Sequence, residues 1–274
     1  REPGTLRHRP AGGDRAGRLL VVVDVGNTTT VFGVYRGDSL VESFRLSTDP
    51  ERTADEYAAV LLPLFERAGL DPTDAEGVVF STVVPPLHVT LDRLARRYFG
   101  RVPLFVEPGV RTGMPIRIDN PTEVGADRIV NSMAARERYG APVVVVDFGT
   151  ATTFDVVDGA GEYVGGIISP GISISAEALF AHGSRLYRVD VRRPEHLVGK
   201  NTAGAMQSGI YYGYIGLVDG ILERLVAERP DLTTVVATGG QARLIADGSR
   251  FIREVDPLLT LAGLKLIHER NRRS

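Results

Sequence analysis

Two segments of this chain repeat one pattern. Residues 20–30 read LVVVDVGNTTT and residues 143–153 read VVVVDFGTATT, so each has four aliphatic residues followed by D-x-G-x-x-T-T. In each copy a strand pattern, a glycine-containing turn and a second strand pattern come next, over residues 31–46 and 154–168. Glycine supplies the positive φ that such turns need. Coincidence is the alternative, because valine-rich strands ending in Asp-x-Gly are common, but the matched hairpins favour a duplicated α/β unit.

Helix and strand patterns complete each half of the chain. Apolar periodicity predicts helices over 53–69, 86–99 and 121–139 in the first half and over 173–182, 203–229, 240–247 and 257–270 in the second. It predicts further strands over 77–83, 102–106 and 233–237. We therefore expect two similar α/β domains, over residues 19–140 and 141–274. Residues 1–18 are rich in arginine, proline and glycine and lack the apolar core of a secretory signal, so we expect a disordered leader there.

Composition excludes several classes of function. The chain of 274 residues contains no cysteine, which excludes disulfides, thiolate zinc sites and cysteine nucleophiles and is compatible with a reducing, cytoplasmic location. Its formal net charge of -2 gives no general attraction to nucleic acid or to anionic membranes. No apolar run approaches the roughly 18 residues of a membrane helix. We expect neither a nucleic-acid partner nor a membrane partner.

The two repeated turns have the chemistry of a phosphate site. Asp24 and Asp147 each end a buried strand, at the edge where open α/β sheets bind ligands. Gly26 and Gly149 lack a Cβ, so backbone N–H groups can approach an anion closely. Neither turn contains Lys or Arg, so a cation would have to balance the charge of a triphosphate, and aspartate oxygens suit Mg²⁺ or an alkali cation. The alternative is that both aspartates only cap turns. Hydroxyl donors are added by Thr28, Thr29, Thr30, Thr150, Thr152 and Thr153.

A third candidate segment is the glycine pair Gly239 and Gly240. It follows a short apolar strand pattern and precedes a helix pattern. A flat ring would be able to lie against the backbone of two adjacent glycines. The alternative is an ordinary strand-to-helix turn.

Asp127 and Arg128 form a fourth candidate. Residues 120–123, Asn-Pro-Thr-Glu, are typical of a helix start and would place Asp127 about two turns into the helix. A carboxylate near an acceptor hydroxyl can take its proton, and an arginine can pair with the carboxylate of a small acid. The alternative is that both are solvated helix charges, paired with Glu123 or other neighbours.

The long helix predicted over 203–229 carries a stripe of four glycines. Each glycine costs a helix roughly 1 kcal/mol relative to alanine, so the stripe indicates that another backbone packs closely against it. We expect this contact either between the two halves or at a dimer interface. We call Gly209, Gly213, Gly216 and Gly220 the glycine stripe.

Five blocks of this sequence, taken together and in order, resemble the type III pantothenate kinases. They are DVGNT at 24–28, GADR at 125–128, DFGTAT at 147–152, NTAGAMQSG at 201–209 and ATGG at 237–240. The resemblance covers about residues 19–269. It implies the duplicated ribonuclease H-like fold of the actin, sugar kinase and Hsp70 ATPase superfamily, in which two α/β domains with mixed sheets surround a central cleft.

The resemblance also implies an activity, which is transfer of the ATP γ-phosphate to the primary hydroxyl of pantothenate, the first step of coenzyme A synthesis. Asp127 would be the proton acceptor. Asp24 would lie near Mg²⁺, directly or through water, and Asp147 would bind the monovalent cation, K⁺ or NH₄⁺. The family is usually a homodimer with a shared substrate pocket. ATP would be held by Asp24, Val25, Gly26, Asn27, Thr28, Thr29, Thr30, Val31 and Thr150, with Gly239 and Gly240 as the further candidates, and pantothenate by Gly125, Ala126, Asp127, Arg128 and Thr202.

One position departs from the family pattern. Some members have a tyrosine seven residues before the GADR block, and this chain has Ile118. This leaves a kinase for another small acid or sugar on the same fold as an alternative. A non-catalytic regulatory relative is a further alternative, although Asp24, Asp127 and Asp147 are all retained.

Overall fold

The structure is a computed structural model that describes residues 18–182 and 188–272. The strands are β1 (Leu19–Val25), β2 (Thr29–Arg36), β3 (Ser39–Ser47), β4 (Ala75–Thr82), β5 (Leu104–Phe105), β6 (Val143–Phe148), β7 (Ala151–Val157), β8 (Tyr163–Pro170), β9 (Val235–Gly239) and β10 (Glu254–Val255). The helices are α1 (Ala54–Arg67), α2 (His88–Leu94), α3 (Ala126–Tyr139), α4 (Ile172–His182), α5 (Thr202–Glu228), α6 (Ala242–Ala246) and α7 (Leu259–Arg272). A π-helical turn, Ala95–Phe99, extends α2, and short 3₁₀ turns cover Pro72–Asp74, Pro85–Leu87 and Pro121–Glu123.

The strands form two five-stranded sheets with the same topology. The order is β3-β2-β1-β4-β5 in the first sheet and β10-β9-β6-β7-β8 in the second. In each sheet a three-stranded antiparallel meander is continued by two parallel strands. The predicted duplication is therefore confirmed at the level of the sheets. The two-residue strand β10, which no sequence pattern predicted, completes the match with β5.

The two copies differ by one residue at the turn. Asp24 pairs with Val31 across the first hairpin, whereas Asp147 pairs with Thr153 across the second. The first turn is therefore one residue longer. Gapless alignment of the repeat matches Thr29 with Thr152, but in the structure Thr30 is the equivalent of Thr152.

Two helices lie between the sheets. α3, from the first half of the chain, packs on β6 and β7, while α7, from the second half, packs on β1 and β4. One buried apolar cluster joins both helices to both sheets. The two helices cross closely because α7 has a glycine there: a Cβ added to Gly263 would collide with the carbonyl oxygen of Val130. Each half thus contributes a helix to the opposite sheet.

The outer faces of the sheets have separate cores. Tyr57, Phe65 and Phe80 are fully buried between the first sheet and the α1–α2 layer. Phe154 and Leu222 are fully buried between the second sheet and α4, α5 and α6. α1 begins with a capping box, in which the Thr53 side chain accepts from the Glu56 N–H and the Glu56 carboxylate accepts from the Thr53 N–H.

The predicted contact of the glycine stripe between the two halves is wrong. A Cβ added to Gly209, Gly213 or Gly216 would meet no atom within 4 Å among the described residues. The stripe lies on the outer surface of α5, and the close helix crossing between the halves uses Gly263 instead. The dimer alternative is untouched by this finding.

The helix predicted over 121–139 is interrupted. Pro121–Glu123 forms only a 3₁₀ turn, Val124 is extended with ψ 127°, and α3 begins after Gly125. Asp127 therefore lies in the first turn of α3 and not two turns inside a helix. Asn120 does cap a turn, as predicted, but this turn is the short one.

Two expectations lie outside these observations. The predicted leader over residues 1–18 falls outside the described residues except for Arg18. The division into domains at residue 140 stays a prediction.

No helix in the described ranges is long and apolar enough to cross a membrane.

Candidate active site

The two repeated turns touch each other. The Oγ1 atoms of Thr28 and Thr150 lie 3.2 Å apart, and both residues are exposed. Because the first turn is one residue longer, Thr28 and Thr150 occupy equivalent positions in the two hairpins. The contact therefore joins equivalent positions of the two halves. Each turn is closed by a backbone bond, from Gly26 N–H to the Thr29 carbonyl at 3.0 Å and from Gly149 N–H to the Ala151 carbonyl at 3.1 Å.

Most of the other threonines in the turns have structural partners. Thr30 is fully buried and bonds the Thr48 hydroxyl at 2.8 Å. Thr152 is fully buried and bonds the Tyr214 hydroxyl. Thr153 donates to Asp155. The Thr28 and Thr150 hydroxyls are therefore exposed where the two turns meet. Thr30, Thr152 and Thr153 instead form hydrogen bonds within the fold.

Asp24 and Asp147 lie near each other and near Asp127, at the ends of the two equivalent strands β1 and β6. Burial raises the pKa of Asp24 to about 8, with further contributions from the negative charges of Asp127 and Asp147. Burial, together with Asp127 and Asp155, raises the pKa of Asp147 to about 7. The structure thus brings the predicted cation-binding carboxylates and Asp127 into one site.

Asp147 is held by a chain of hydrogen bonds that crosses three elements. Asn131 of α3 donates from Nδ2 to Asp147 Oδ2 at 2.9 Å, and Thr260 of α7 donates to Asn131 Oδ1 at 2.7 Å. Asn131 is almost fully buried. No sequence motif marks Asn131, although its position four residues after Asp127 puts both on one face of α3.

Asp127 lies over the N-terminus of α3. Its Oδ1 accepts from the backbone N–H of Arg128 at 2.9 Å. A Cβ on Gly125 would lie 2.5 Å from the same oxygen, so only glycine leaves room for the carboxylate there. Burial raises the pKa of Asp127, and the neighbouring N–H groups and Arg128 lower it by less. A carboxylate with a raised pKa is a stronger base than an ordinary one.

Arg128 is not a solvated helix charge. Its Nε donates to Asp155 Oδ1 at 2.7 Å, its Nη2 lies 2.7 Å from the same oxygen, and its side chain is only 14% exposed. The alternative of solvated charges paired with Glu123 is therefore wrong for Arg128. The sequence analysis did not identify Asp155, although a single charge in the apolar stretch of strand β7 was a visible signal.

The glycine pair has two different roles. Gly239 has φ +92°, and a Cβ there would lie 2.5 Å from Asp147 Oδ1 and 2.6 Å from the Phe148 carbonyl oxygen. The side of Gly239 where a side chain would stand is thus covered by the Asp147 carboxylate, so Gly239 offers no open surface to a ligand. A Cβ on Gly240 would meet no atom within 4 Å among the described residues, so only this residue offers an open surface.

Among the remaining predicted residues, two valines can offer only their backbone to a ligand. The side chain of Val25 is fully buried, and that of Val31 packs against the apolar cluster between the two sheets. Asn27 is exposed at the turn itself. Thr202 is exposed at the start of α5 and makes no hydrogen bond to the other candidate residues within the described part of the chain.

A bound cation would need ligands besides the protein. The described residues contain no group of three or more His, Cys, Asp or Glu side chains that could hold a metal ion. The donor set nevertheless fits hard cations, because Asp24, Asp127 and Asp147 provide carboxylate oxygens and the buried Ser81, next to Asp24 in the sheet, adds a hydroxyl oxygen. Mg²⁺ typically takes one or two carboxylates and completes its shell with water and substrate phosphates.

The metal-free protein is expected to lose stability as the pH rises from about 4 to about 8. The folded protein holds protons on Asp24 to about pH 8 and on Asp147 to about pH 7, whereas both groups ordinarily titrate at 3.8. The folded state binds more protons than the unfolded state across this interval, so the free energy of unfolding falls with pH. Thermal melting in chelator at each pH would measure this loss. Asp24→Asn should flatten the profile, and a flat profile for the unmodified chain would contradict the burial of these charges.

The fold is shared with solved structures of low sequence identity. MreB 5 of Spiroplasma citri, solved bound to AMPPNP, matches with a TM-score of 0.55 at 11% identity over 93% of this chain and 97% of that one. The ethanolamine utilization protein EutJ from Carboxydothermus hydrogenoformans matches with a TM-score of 0.50 at 16% identity over 94% of this chain and 92% of that one. The predicted actin-like ATPase fold, with two α/β domains and mixed sheets, is confirmed.

Sequence comparison identifies the family. The profile of the type III pantothenate kinases matches residues 20–224. Proteins named type III pantothenate kinase from Anaeromyxobacter sp. (strain Fw109-5) and Koribacter versatilis are 56% and 54% identical, over 93% and 92% of this chain and 100% and 96% of the relatives. The chain therefore belongs to the type III pantothenate kinase family, and the resemblance drawn from the five sequence blocks is confirmed.

Proposed function

We propose that this chain transfers the γ-phosphate of ATP to the primary hydroxyl of pantothenate, the first step of coenzyme A synthesis, in the cytoplasm. Family membership supports the reaction and the substrate. The observation that carries the proposal is the contact between Thr28 and Thr150, which closes the two repeated turns around one cleft. Asp127 and Asp147 lie close enough to Asp24 to raise its pKa, and Asp127 also raises the pKa of Asp147.

The turns would hold the ATP phosphates. Asn27, Thr28, Gly149 and Thr150 are exposed at the point where the turns meet. Their backbone N–H groups and the two threonine hydroxyls are the kinds of donors that phosphoryl-transfer enzymes place around a triphosphate. The open face of Gly240, on the neighbouring β9–α6 connection, would take the adenine ring.

Two cations belong to the proposal. Three carboxyl groups, those of Asp24, Asp127 and Asp147, share the site, while the neighbouring Arg128 is already paired with Asp155. A nearby cation favours the ionised form of such groups. Asp24 would hold Mg²⁺, directly or through water, and Asp147 would hold K⁺ or NH₄⁺. Mg²⁺ bound in this way neutralises charge on the phosphates during transfer. The protein's own contribution is to fix Asp147 through Asn131 and Gly239 and to keep both carboxylates close together.

Asp127 and Arg128 would act on pantothenate. Asp127 would take the proton of the attacking hydroxyl, for which its raised pKa suits it. Arg128, the next residue on α3, would bind the substrate's carboxylate. Ile118 packs beside Gly165 of β8, in the strand next to Asp155, so the position of the family tyrosine is apolar here.

The test is an ADP-release assay with pantothenate, Mg²⁺-ATP and K⁺. We expect turnover that depends on pantothenate and that falls sharply when Na⁺ replaces K⁺. A panel of other small hydroxy acids and sugars, run in parallel, addresses the alternative that Ile118 leaves open. Turnover with one of these and none with pantothenate would reject the proposed substrate. Equal rates in K⁺ and Na⁺ would reject the monovalent-cation site at Asp147.

We also propose that two copies associate through the outer face of the second half. Exposed apolar side chains lie on β8, on α4, on α5 and in the segment that precedes α5. Thr202 lies at the start of the same helix, so in a dimer it would be able to reach the substrate pocket of the other copy. The apolar residues of this face are Ile168, Ile174, Leu179, Leu197, Val198 and Tyr212.

Gly213→Leu is expected to dissociate the dimer. A leucine there has open space in the single chain and raises helix propensity by roughly 0.8–1 kcal/mol, so the subunit itself should not be destabilised. In a dimer that packs on the glycine stripe it would separate the two backbones. Sedimentation velocity measures the change, with Glu66→Leu, at an exposed position of α1 in the first half of the chain, as the control. An unchanged dimer with Gly213→Leu, or a monomeric unmodified chain, would reject this interface.

A further inference from the structure

Asp155 is a buried carboxylate with more partners than a structural role requires. It is fully buried in strand β7. Its Oδ1 accepts from Arg128 Nε at 2.7 Å and from the Tyr163 hydroxyl at 2.8 Å, and its Oδ2 accepts from Thr153 at 2.9 Å. Arg128, Tyr163 and Thr153 come from α3, β8 and β7, so three elements converge on one side chain.

The duplicated fold provides an internal comparison for this position. Asp155 lies opposite Val145 in the second sheet, and the equivalent pair in the first sheet is Gly33 opposite Val22. The first sheet has no charge at this place: Leu261 of α7 fills the space above Gly33. The same backbone arrangement is therefore built with apolar contacts in one half and with an ion pair in the other.

Stability does not account for the ion pair. Buried pairs lose so much hydration that well-packed apolar residues of similar size are often as stable or more stable. The pair also packs against the backbone at Gly166, where an added Cβ would collide with the Phe154 carbonyl oxygen and would lie 2.5 Å from Arg128 Nη2 and 3.0 Å from Asp155 Oδ1. An arrangement that the fold does not need, yet accommodates at the candidate substrate site, indicates a functional role.

We propose that Asp155 is a positioning residue that orients Arg128 toward the carboxylate of the substrate. Asp155 occupies the Nε and Nη2 side of the guanidinium, while Nη1 makes no hydrogen bond to any described residue. A guanidinium is a rigid planar fork, so fixing one edge aims the other edge. Tyr163 and Thr153 hold the carboxylate in turn. This inference rests on the proposed function, in which Arg128 binds pantothenate.

The test is a comparison of steady-state kinetics for Asp155→Asn and the unmodified enzyme. We expect KM for pantothenate to rise about 10- to 100-fold, as for loss of an outer-shell partner elsewhere, with kcat and KM for ATP changed by less than about threefold. A rise in KM alone reports lost binding and not lost chemistry. The ratio of kcat/KM for pantothenate to kcat/KM for its neutral carboxamide should fall by the same factor, because the carboxamide lacks the carboxylate that Arg128 would bind.

Asp219→Asn is the matched control. Asp219 is also buried and also pairs with an arginine and a serine, Arg250 and Ser249, but it lies on the outer helix α5. We expect it to lower the melting temperature without changing KM for pantothenate or the preference for the acid. The same KM change in both variants would overturn the inference, since it would indicate a general effect of losing a buried charge.

A double-mutant cycle separates this inference from the proposed function. If Asp155 acts only through Arg128, Asp155→Asn should have no further effect on KM in an Arg128→Gln background. Additive effects would overturn the inference and leave the role of Arg128 standing. An Arg128→Gln variant with unchanged KM would instead reject the proposed function of Arg128. Should Asp155→Asn not fold, Tyr163→Phe keeps the ion pair and removes one of its supports: we expect a smaller rise in KM with the same narrowing of preference, and an unchanged KM would overturn the inference.

Discussion

Replacing Asp127 by asparagine is expected to lower kcat for pantothenate phosphorylation by about 10²- to 10⁴-fold, the usual contribution of a positioned general base. Asparagine has the size of aspartate but cannot take a proton from the attacking hydroxyl. Gly125 leaves space for the side chain, so the substitution requires no rearrangement of α3. KM for ATP should change little, because the turns that would hold the phosphates are not altered.

Stability distinguishes lost chemistry from lost structure in this variant. Burial raises the pKa of Asp127, which means that the folded protein disfavours its charge. A neutral asparagine should therefore leave the melting temperature unchanged or raise it. Asp119→Asn, at an exposed aspartate of the preceding loop, is the control and should retain full activity. If Asp127→Asn keeps more than about a tenth of kcat, another group takes the proton.

Gly239→Ala is expected to reduce both stability and activity severely. A non-glycine residue at φ +92° costs of order 1–3 kcal/mol. The new Cβ would also lie 2.5 Å from Asp147 Oδ1 and 2.6 Å from the Phe148 carbonyl oxygen, and such overlap typically costs about 1–3 kcal/mol more. Relief of the overlap would move the Asp147 carboxylate, so we expect activity to fall by at least about 10²-fold, as misplacement by about 1 Å can do.

Gly240→Ala is the matched control for this prediction. The added methyl group meets no atom within 4 Å among the described residues, so stability should change by less than about 0.5 kcal/mol. KM for ATP should rise, because the methyl group would stand where the adenine ring is proposed to lie. Chemical denaturation and ATP titration of both variants measure these effects. Equal losses in the two variants would contradict the separate roles that the structure assigns to the two glycines.

Much of the fold was predictable because it depends on local patterns. The aliphatic runs before Asp24 and Asp147 predicted buried strands, and glycines in the following turns predicted hairpins. These signals depend on residues close together in the chain, and strand boundaries came out within a few residues. The prediction was poorer where two local signals competed. At residues 120–125 the helix-start residues formed a separate short turn, and extended backbone at Val124 moved the start of α3.

The identity of the site residues was predictable in part. Asp24 and Asp147 were proposed as site residues because their pattern occurs twice, and Asp127 because its block resembles the family. Asn131 and Asp155 were not, since neither lies in a recognisable motif. Their roles depend on contacts with Asp147 and Arg128 made across the fold.

The sequence alone determined that two copies of an α/β unit are present and to which family the chain belongs. Tertiary structure decided how the copies meet. The one-residue difference in turn length makes Thr28 and Thr150 equivalent and brings them into contact, and it turns Thr30 and Thr152 into the sheets. The exchange of α3 and α7 between the sheets sets Arg128 against Asp155 and Asn131 against Asp147. The physical reason is that secondary structure follows from neighbours in sequence, whereas the partner of a buried charge is selected by packing between elements distant in the chain.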